Sequence, residues 1–323
     1  MRAIAKEDCV TAMTPSAVVE PLRVFRKGTL IKGKPTEIDC VEINGQIFAV
    51  GRGPVRVVEL EDEWYDDVGD PDAVVRSLIE RADFRPDIFR FWQRVPDVQP
   101  RYQYNFEWEE LAVLPIESYE RWWNHQIKSG TRNMIRKAER EGVLVRETIY
   151  DDDFIRGMTN IFNEAPIRQG RPFWHYGKDF DTVKRQFSRY IQREYMIGAY
   201  YGGEMIGFVM LGNAGRFGLI GQIISNLRHR DKATNNALIA KAVEVCQAKG
   251  LQYLIYVFWG NDSLTAFKGR SGFQCVKIPR YYVPLSRRGR QALEWGMHKG
   301  WRGIVPPRIA ARIRMLRRRW YGE

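Results

Sequence analysis

The chain has 323 residues, of which 44% are hydrophobic and 28% charged, and its net charge is +12. This length and apolar content exclude a globally disordered chain and suggest about two domains. No uncharged stretch approaches the roughly 20 residues of a membrane-spanning helix, and the N-terminus lacks an apolar signal, so we expect a cytoplasmic protein. The four cysteines form no CxxC pair and the four histidines form no cluster, so we expect no structural zinc site.

Residues 1–114 are predicted to form a small α/β unit. Residues 1–38 show little periodicity. Asn44-Gly45 is typical of a hairpin turn, and Asp70-Pro71 is typical of a helix start. Strands are predicted at 41–50 on both sides of that turn, at 55–60, at 88–95 and at 106–114, with a helix after residue 70.

Residues 115–285 are predicted to form a second, larger unit. Helices are expected at 118–142 with a break near Ser129-Gly130, at 154–163 and at 180–192, with a long loop at 164–177. Strands are expected at 196–201, 205–211, 217–225, 253–258 and 276–283, and further helices at 233–249 and 264–270. Because 205–211 and 217–225 are continuous apolar runs, we expect both strands to be buried on both faces.

Residues 286–323 are predicted to form a basic helical tail. They carry eleven Lys and Arg against two Glu. Pro307 can start a helix in which Ile309, Ile313 and Leu316 share one face. Such a helix is typical of binding to RNA or to an anionic membrane surface, and docking on its own domain is the alternative. The candidate contacts are Arg308, Arg312, Arg314, Arg317, Arg318 and Arg319.

The order of elements resembles the GNAT acyltransferase fold, and three segments carry the resemblance. One is the strand at 217–225 with the basic loop and helix that follow it. Another is Asn261-Asp-Ser-Leu-Thr-Ala-Phe-Lys-Gly-Arg-Ser-Gly-Phe273. The third runs from Lys128 through Arg132-Asn-Met-Ile-Arg-Lys-Ala138 to Gly142-Val143. It resembles the helix that opens the second domain of Fem-type peptidoglycan-bridge aminoacyltransferases and their acetyltransferase-like relatives.

The resemblance implies an α+β fold, a GNAT-like mixed sheet flanked by helices and preceded by a smaller degenerate α/β unit. It covers residues 115–285 well and the first unit in outline. One departure concerns the loop after the strand at 217–225, where GNAT enzymes place glycines around the CoA pyrophosphate. The run from Arg228 to Ala237 has no glycine, so a tightly curved backbone loop around the pyrophosphate is in doubt. A helix N-terminus behind basic residues can still bind phosphate.

The loop at 164–177 is the predicted catalytic and substrate-binding segment. Arg168, Gln169 and Arg171 are candidate substrate ligands, and Glu164 is a second candidate base. His175 is the candidate general base, because its ordinary pKa lies near neutrality, and Tyr176 is a candidate proton donor. The alternative for the segment is a surface loop anchored by Phe173 and Trp174, and the alternative for Glu164 is a helix cap or an ion pair.

A donor site follows from the GNAT resemblance. It implies that backbone groups of one strand bind the donor and that the next loop holds its phosphates. Asn261 would contact the donor, although it could equally cap the helix that follows. The residues concerned are Gly221, Gln222, Ile223, Ile224, Arg228, Arg230, Lys232 and Asn261.

These interpretations predict an N-acyltransferase. It would transfer an acyl or aminoacyl group from acyl-CoA or aminoacyl-tRNA to an amine, with acyl-CoA as co-substrate and no permanently bound cofactor. The alternative is a non-catalytic GNAT-like protein that binds RNA or an acidic membrane surface through its Arg-rich tail. In either case the protein would be cytoplasmic, with a peripheral position at the inner membrane face compatible with the tail.

Overall fold

The computed structural model describes residues 23–31, 34–80, 84–260 and 263–299. The strands are β1 (Arg23–Ile31), β2 (Lys34–Ile43), β3 (Gln46–Val50), β4 (Val57–Leu60), β5 (Ile88–Trp92), β6 (Phe106–Pro115), β7 (Leu144–Thr148), β8 (Ile167–Arg168), β9 (Arg171–Pro172), β10 (Glu194–Tyr201), β11 (Glu204–Ala214), β12 (Phe217–Ser225), β13 (Tyr253–Phe258) and β14 (Gln274–Pro284). The helices are α1 (Pro71–Glu80), α2 (Tyr119–Arg121), α3 (Ser129–Arg140), α4 (Asp152–Phe162), α5 (Phe180–Phe187), α6 (Thr234–Ala248), α7 (Ser263–Arg270) and α8 (Arg287–Glu294).

Twelve of these strands form one mixed sheet. Its order is β1-β2-β3-β4-β5-β14-β6-β13-β12-β11-β10-β7. The short strands β8 and β9 form a separate hairpin within the predicted loop, and its turn residues Gln169 and Gly170 both have positive φ. The predicted α+β class with a GNAT-like mixed sheet and flanking helices is confirmed.

The same strand arrangement occurs twice along the chain. In each half, four strands pair antiparallel in succession: β1 to β4 in the first half, and β7 with β10 to β12 in the second. A helix, α1 or α6, then crosses to a strand that pairs in parallel with the fourth. These parallel pairs run from Val57↔Ile88 to Glu59↔Arg90 and from Phe217↔Tyr253 to Leu219↔Ile255. The smaller first unit therefore has a GNAT-like strand order.

The last strand of each half lies in the sheet of the other half. Strand β6 pairs antiparallel with β13, and β14 pairs antiparallel with β5. The two exchanged strands also pair with each other over eight residue pairs. The division predicted between residues 114 and 115 stays a prediction, and it falls within β6.

Helices cover both faces of the second half of the sheet. On one face, α3 and α6 pack on a core that contains Ile135, Leu238 and Ile206. On the other face, α4 and α5 pack on a separate core, where Phe154 meets Phe208. The sheet between these two layers carries the site described below.

Several elements differ from the sequence predictions, apart from the β8–β9 hairpin within the predicted loop. Strands β1 and β7 were not predicted; both lie at an edge of the sheet and show no fully buried residue. Helix α5 ends at Phe187 rather than residue 192, because the chain turns into a short 3-10 segment at Ile191–Arg193. Strand β12 is buried only from Phe217 to Ile220, so the predicted burial of its whole length on both faces is wrong.

Part of the prediction lies outside the described residues. This applies to Asn261 and to the basic tail beyond residue 299, including its six candidate arginines. No helix in the described part of the chain combines the length and the apolar character needed to cross a membrane.

Candidate functional site

Strands β12 and β13 separate in the middle of the sheet. Their parallel pairing ends at Leu219↔Ile255, although β12 continues to Ser225. Beyond this point β12 turns from buried to accessible: Gly221 is exposed, and the four residues after it are partly exposed. Diverging strands leave backbone groups unpaired, so a ligand can approach the main chain from either face of the sheet.

A β-bulge lies at the same place. Met210 of β11 pairs with Gln222 and Leu211 pairs with Ile220, so Gly221 has no partner in the register. A bulge leaves its extra residue outside the hydrogen-bonded ladder. The backbone N–H at this position is therefore a candidate for polarising a carbonyl group, as predicted for Gly221, Gln222, Ile223 and Ile224.

A cavity of about 720 Å³ lies beside the far end of β12. It is bordered by the β8–β9 hairpin, the N-terminus of α6 and the C-terminal end of α7. Five predicted site residues line it together: Ile223, Ile224, Arg168, Gln169 and Arg230.

Thr234, which sequence reasoning missed, also lines this cavity. Only 3% of Thr234 is exposed, and its Oγ1 has no hydrogen-bond partner among the described residues. The hydroxyl stands at the first residue of α6, where free backbone N–H groups attract anions. This end of the cavity therefore suits a phosphate or another anionic group.

The loop before α6 turns without glycine. Ala233 adopts the left-handed conformation, with φ of 55°, directly after a 3-10 turn at Arg230–Lys232. The Nζ of Lys232 lies 3.4 Å from Glu141 and 4.2 Å from the centre of the Tyr201 ring. Lys232 is thus not among the residues that line the cavity, whereas Arg230 is.

Glu164 and Arg168 hold the cavity wall in place. Arg168 donates to the carbonyls of Ser225 and Ile161 and to Glu164 Oε2. Glu164 also accepts from the backbone N–H groups of Leu227 and Arg228, at 2.6 and 3.0 Å. Both carboxylate oxygens are occupied by donors that fix the loop after β12. The predicted roles of Glu164 as a base and Arg168 as a substrate ligand stay predictions.

His175 lies under a cluster of rings rather than at a cavity surface. Only 2% of it is exposed, and its ring stacks on Phe162 with centroids 4.3 Å apart. Burial, aided by the nearby Lys178, lowers the pKa of His175 to about 3. The imidazole is therefore neutral and a weak base near pH 7. Tyr176 and Arg171 are exposed, and the catalytic and binding roles predicted for these residues are untested.

A second cavity, of about 490 Å³, lies beside the bulge at the junction of the two halves. Its walls include the aromatic side chains of Trp64, Tyr65, Trp174, Phe187 and Tyr190. Gly221 and Gln222 line this cavity, whereas Ile223 and Ile224 line the larger one. Consecutive residues of β12 thus border both cavities.

Two acidic side chains in the smaller cavity are neutralised by Arg189. Its guanidinium donates to Glu61 and to Asp62, both at 2.9 Å. Glu61 is also paired with Lys27 at 2.6 Å, and Asp62 accepts from the hydroxyl of Tyr190 at 2.6 Å. Glu61 and Asp62 therefore each have a cationic partner.

Glu194 is the third acidic residue of this cavity, and its pairing is different. Its Oε1 accepts a hydrogen bond from the Tyr65 hydroxyl at 2.9 Å, while its Oε2 is shielded from solvent and has no partner among the described residues. Burial raises the pKa of Glu194, and the Tyr65 hydrogen bond opposes that rise. Burial also raises the pKa of Tyr65, so its hydroxyl remains a donor.

The corresponding place in the first half of the sheet is filled by charged side chains. Glu59 and Arg90, the last pair of the parallel strands β4 and β5, form an ion pair with each other. Arg280 of β14 lies next to them, between Glu63 at 3.2 Å and Glu109 at 2.8 Å. The two halves therefore share a strand order, whereas the register shift between β11 and β12 has no counterpart in the described pairing of β3 with β4.

Comparisons with solved structures show which fold this is. FemX superposes with a TM-score of 0.56 at 10% identity, covering 80% of this chain and 88% of FemX. The C-terminal domain (DUF2156) of a protein assigned as a lysylphosphatidylglycerol synthetase, from Agrobacterium fabrum, gives 0.53 at 13% identity over 77% and 83% of the two chains. L-PGS from Bacillus licheniformis gives 0.52 at 14% identity over 74% and 82%.

These similarities define a Fem-like GNAT fold and confirm the resemblance inferred from the sequence. At such identities they show the fold alone. No known family profile matches the sequence, and no curated protein matches it.

Proposed function

We propose that the protein is an acyltransferase that binds its donor in the larger cavity and its acceptor in the smaller one. The observation that carries this proposal is the bulged Gly221, which lies where β12 leaves β13 and in the stretch of β12 whose consecutive residues line one cavity and then the other. A donor carbonyl at the bulge would be open to attack from the acceptor side. A backbone N–H directed at its oxygen would stabilise the charge that develops there.

The proposed reaction needs no covalent intermediate. A neutral amine attacks the carbonyl carbon of a thioester or ester, a C–N bond forms, and the C–S or C–O bond breaks. The leaving group departs with the bonding electron pair and takes up a proton from the amine nitrogen. One further proton leaves if the amine enters as an ammonium ion. Placing both substrates on one strand supplies much of the rate enhancement expected of such an enzyme.

Two kinds of donor fit the larger cavity. Its anion-binding end would be the N-terminus of α6 with Thr234, and Arg230 and Arg270 also line the cavity. These features suit the phosphates of acyl-CoA or the terminal phosphates of aminoacyl-tRNA. The Fem-type resemblance and the name lysylphosphatidylglycerol synthetase favour an aminoacyl group. The arginine-rich tail predicted beyond residue 299 would add affinity for RNA. Either donor would act as co-substrate, with no permanently bound cofactor.

The location of the protein is also a proposal. A cytoplasmic protein with a peripheral position at the inner membrane face would meet both donors. A membrane-associated acceptor would then lie within reach of the predicted basic tail.

The test is ligand-induced thermal stabilisation with acetyl-CoA, a long-chain acyl-CoA and bulk tRNA, followed by a transfer assay with the ligand that binds. A ligand at a hundred times its dissociation constant should stabilise the fold by about 2.7 kcal/mol. Thr234→Val should reduce that stabilisation without loss of intrinsic stability, because it removes an unpaired buried hydroxyl. No stabilisation by any of the three ligands would contradict the donor site.

The non-catalytic alternative makes a different prediction. Deleting residues 304–323 should abolish the function of a protein that only binds RNA or an acidic membrane, whereas an enzyme with a small acceptor should keep its chemistry. Binding that hardly weakens as salt rises would argue against either polyanionic partner.

A further inference from the structure

We infer that the smaller cavity binds the primary ammonium group of the acceptor, with Glu194 as its carboxylate partner and Tyr65 as the residue that positions Glu194. This inference rests on the proposed function and names the substrate class of that site. It assigns the acceptor as a small amphipathic amine, a charged nitrogen carried on an apolar body.

The charge distribution of the cavity supports a cationic ligand. Glu61 and Asp62 are held by Lys27, Arg189 and the Tyr190 hydroxyl. Glu194 has only the neutral Tyr65 as a hydrogen-bond partner among the described residues. Its Oε2 is shielded without a partner, a costly arrangement that a bound ammonium group would relieve. When Glu194 is ionised, the cavity therefore holds one carboxylate that has no cationic partner among the described residues.

The side chains that line the smaller cavity indicate the chemistry of the uncharged part of the ligand. Indole and phenol rings line the cavity, and such rings attract cations at their faces while burying aliphatic groups. Met210, Leu219 and Ile220 add apolar surface. A volume of about 490 Å³ is that of a small-molecule site, so the acceptor is a small molecule or a single extended side chain.

The position of Glu194 connects this binding site to the reaction. A side-chain carbon placed on Gly221 would lie 3.9 Å from Glu194 Oε1 and 3.6 Å from the carbonyl oxygen of Met210. The carboxylate thus stands beside the bulge at which the donor carbonyl is proposed to bind. An ammonium group held there would be within reach of the carbonyl carbon.

Glu194 can also take up the proton that must leave the ammonium ion. Transfer of one proton to Glu194 gives the neutral amine, whose lone pair attacks the donor carbonyl. The second amine proton goes to the leaving thiolate or alkoxide, and Glu194 later releases its proton to solvent. The amide product carries no charge at nitrogen and so loses its attraction to the carboxylate, which favours product release.

Tyr65 makes this site depend on both halves of the chain. It lies in the segment after β4 of the first half, whereas Glu194 is the first residue of β10 in the second. The ring of Tyr65 is fixed by Tyr190, with centroids 4.4 Å apart, and by Arg193, whose guanidinium lies 4.7 Å from the ring centre. The first half thus contributes a positioning residue to the acceptor site.

The test measures binding of hexylamine and of hexan-1-ol to the full chain by calorimetry at pH 8, without any donor. The wild type should prefer the amine by about tenfold or more, the effect of a charge-assisted hydrogen bond. Glu194→Gln should remove this preference. Glu147→Gln should keep it, because that carboxylate is exposed on β7 and pairs with Lys249. No preference in the wild type, or an unchanged preference in Glu194→Gln, overturns the inference.

A second measurement distinguishes the acceptor amine from the amino group of an aminoacyl donor. With a donor present, formation of the N-hexyl amide identifies the cavity as the acceptor site. Inhibition by hexylamine without amide formation would instead place the donor's own amino group there and overturn the assignment. If Glu194-dependent amine binding is found but no donor supports transfer, the proposed function fails while the ammonium site stands.

Discussion

The Tyr65 hydroxyl donates to Glu194 Oε1 across 129 positions of sequence and across the junction of the two halves. This hydrogen bond lies in the cavity beside the bulge of β12, where it leaves the other carboxylate oxygen without a partner. A carboxylate held in this way is unfavourable for folding and useful for binding a cation. Both the loss of stability and the binding of a cation can be measured.

Glu194→Gln should stabilise the fold at pH 8 by on the order of 1 kcal/mol, because it removes a buried charge that has no cationic partner. The pKa of Glu194 is raised, so the folded state binds its proton more tightly than the unfolded state does. The wild type therefore loses stability as pH rises from about 4.3 through the raised pKa. The gain in the variant should appear over the same range and vanish below it.

Urea denaturation of both proteins between pH 4 and pH 8 measures this difference. The groups facing Glu194 are Tyr65 and Tyr150, both with raised pKa values, and Arg193 next in sequence is paired with Asp66. The raised pKa values of Tyr65, Tyr150 and Arg193 keep each of these three groups in one charge state across that range. A stability difference that does not change with pH would contradict the explanation.

His175→Phe should leave acyl transfer within a few-fold of the wild type. The His175 ring stacks on Phe162, and its lowered pKa makes it a weak base, so a phenyl ring preserves its packing and removes little chemistry. Glu194→Gln should reduce kcat by about 100-fold, the range expected for loss of a general base. Steady-state assays of both variants decide between the two residues. A strong loss of activity in a His175→Phe variant that still folds would support His175, rather than Glu194, as the general base.

Arg280→Met should destabilise the protein by about 3 kcal/mol, since removing one member of a buried ionic network leaves charges unpaired. Arg280 is 5% exposed and lies between Glu63 and Glu109. Burial already raises the pKa of Glu63, and Arg280 counteracts that rise. The penalty should therefore be larger at pH 8 than at pH 5, because loss of Arg280 makes the ionisation of buried Glu63 more costly.

Lys277→Met is the matched control for this variant. Lys277 pairs with Glu110 at 3.5 Å on the exposed side of the same strand, and such surface pairs contribute less than about 1 kcal/mol. Equal losses in the two variants by urea denaturation would show that the network around Arg280 is not the cause.

Gly289→Ala should release α8 from the sheet. A side-chain carbon on Gly289 would lie only 1.9 Å from the carbonyl oxygen of Asp87, a contact that neither backbone can accommodate. We expect a loss of about 2 kcal/mol in unfolding free energy and faster amide exchange in α8. Gly130→Ala is the control, because no atom lies within 4 Å of its added carbon. It should be neutral or slightly stabilising, and a comparable loss there would contradict the steric argument.

The sequence predicted the buried part of the fold well. Strands β12 and β13 begin and end where their apolar runs do, and the Asn44-Gly45 turn adopts the positive φ values that its residues favour. Strands β1 and β7 escaped prediction, because edge strands bury little and are defined by their pairing with β2 and β10. Without β1 and β7, the repeated strand order of the two halves could not be seen.

The candidate site was predictable only where it is local in sequence. The resemblance located the strand residues Gly221 to Ile224 and the N-terminus of α6, since both belong to one continuous segment. No local sequence pattern identifies Glu194, which is a single acidic residue at the start of an apolar strand. Its partner Tyr65 lies 129 positions away in the sequence. The bulge at Gly221 is equally nonlocal, because it is a difference in register between β11 and β12.

The exchange of β6 and β14 makes the two halves inseparable by proteolysis or gene truncation. A chain cut between Pro115 and Ile116 would give two fragments, each lacking a central strand that the other supplies. Neither fragment could bury its own core, yet together they would complement one another as the parts of a split protein do.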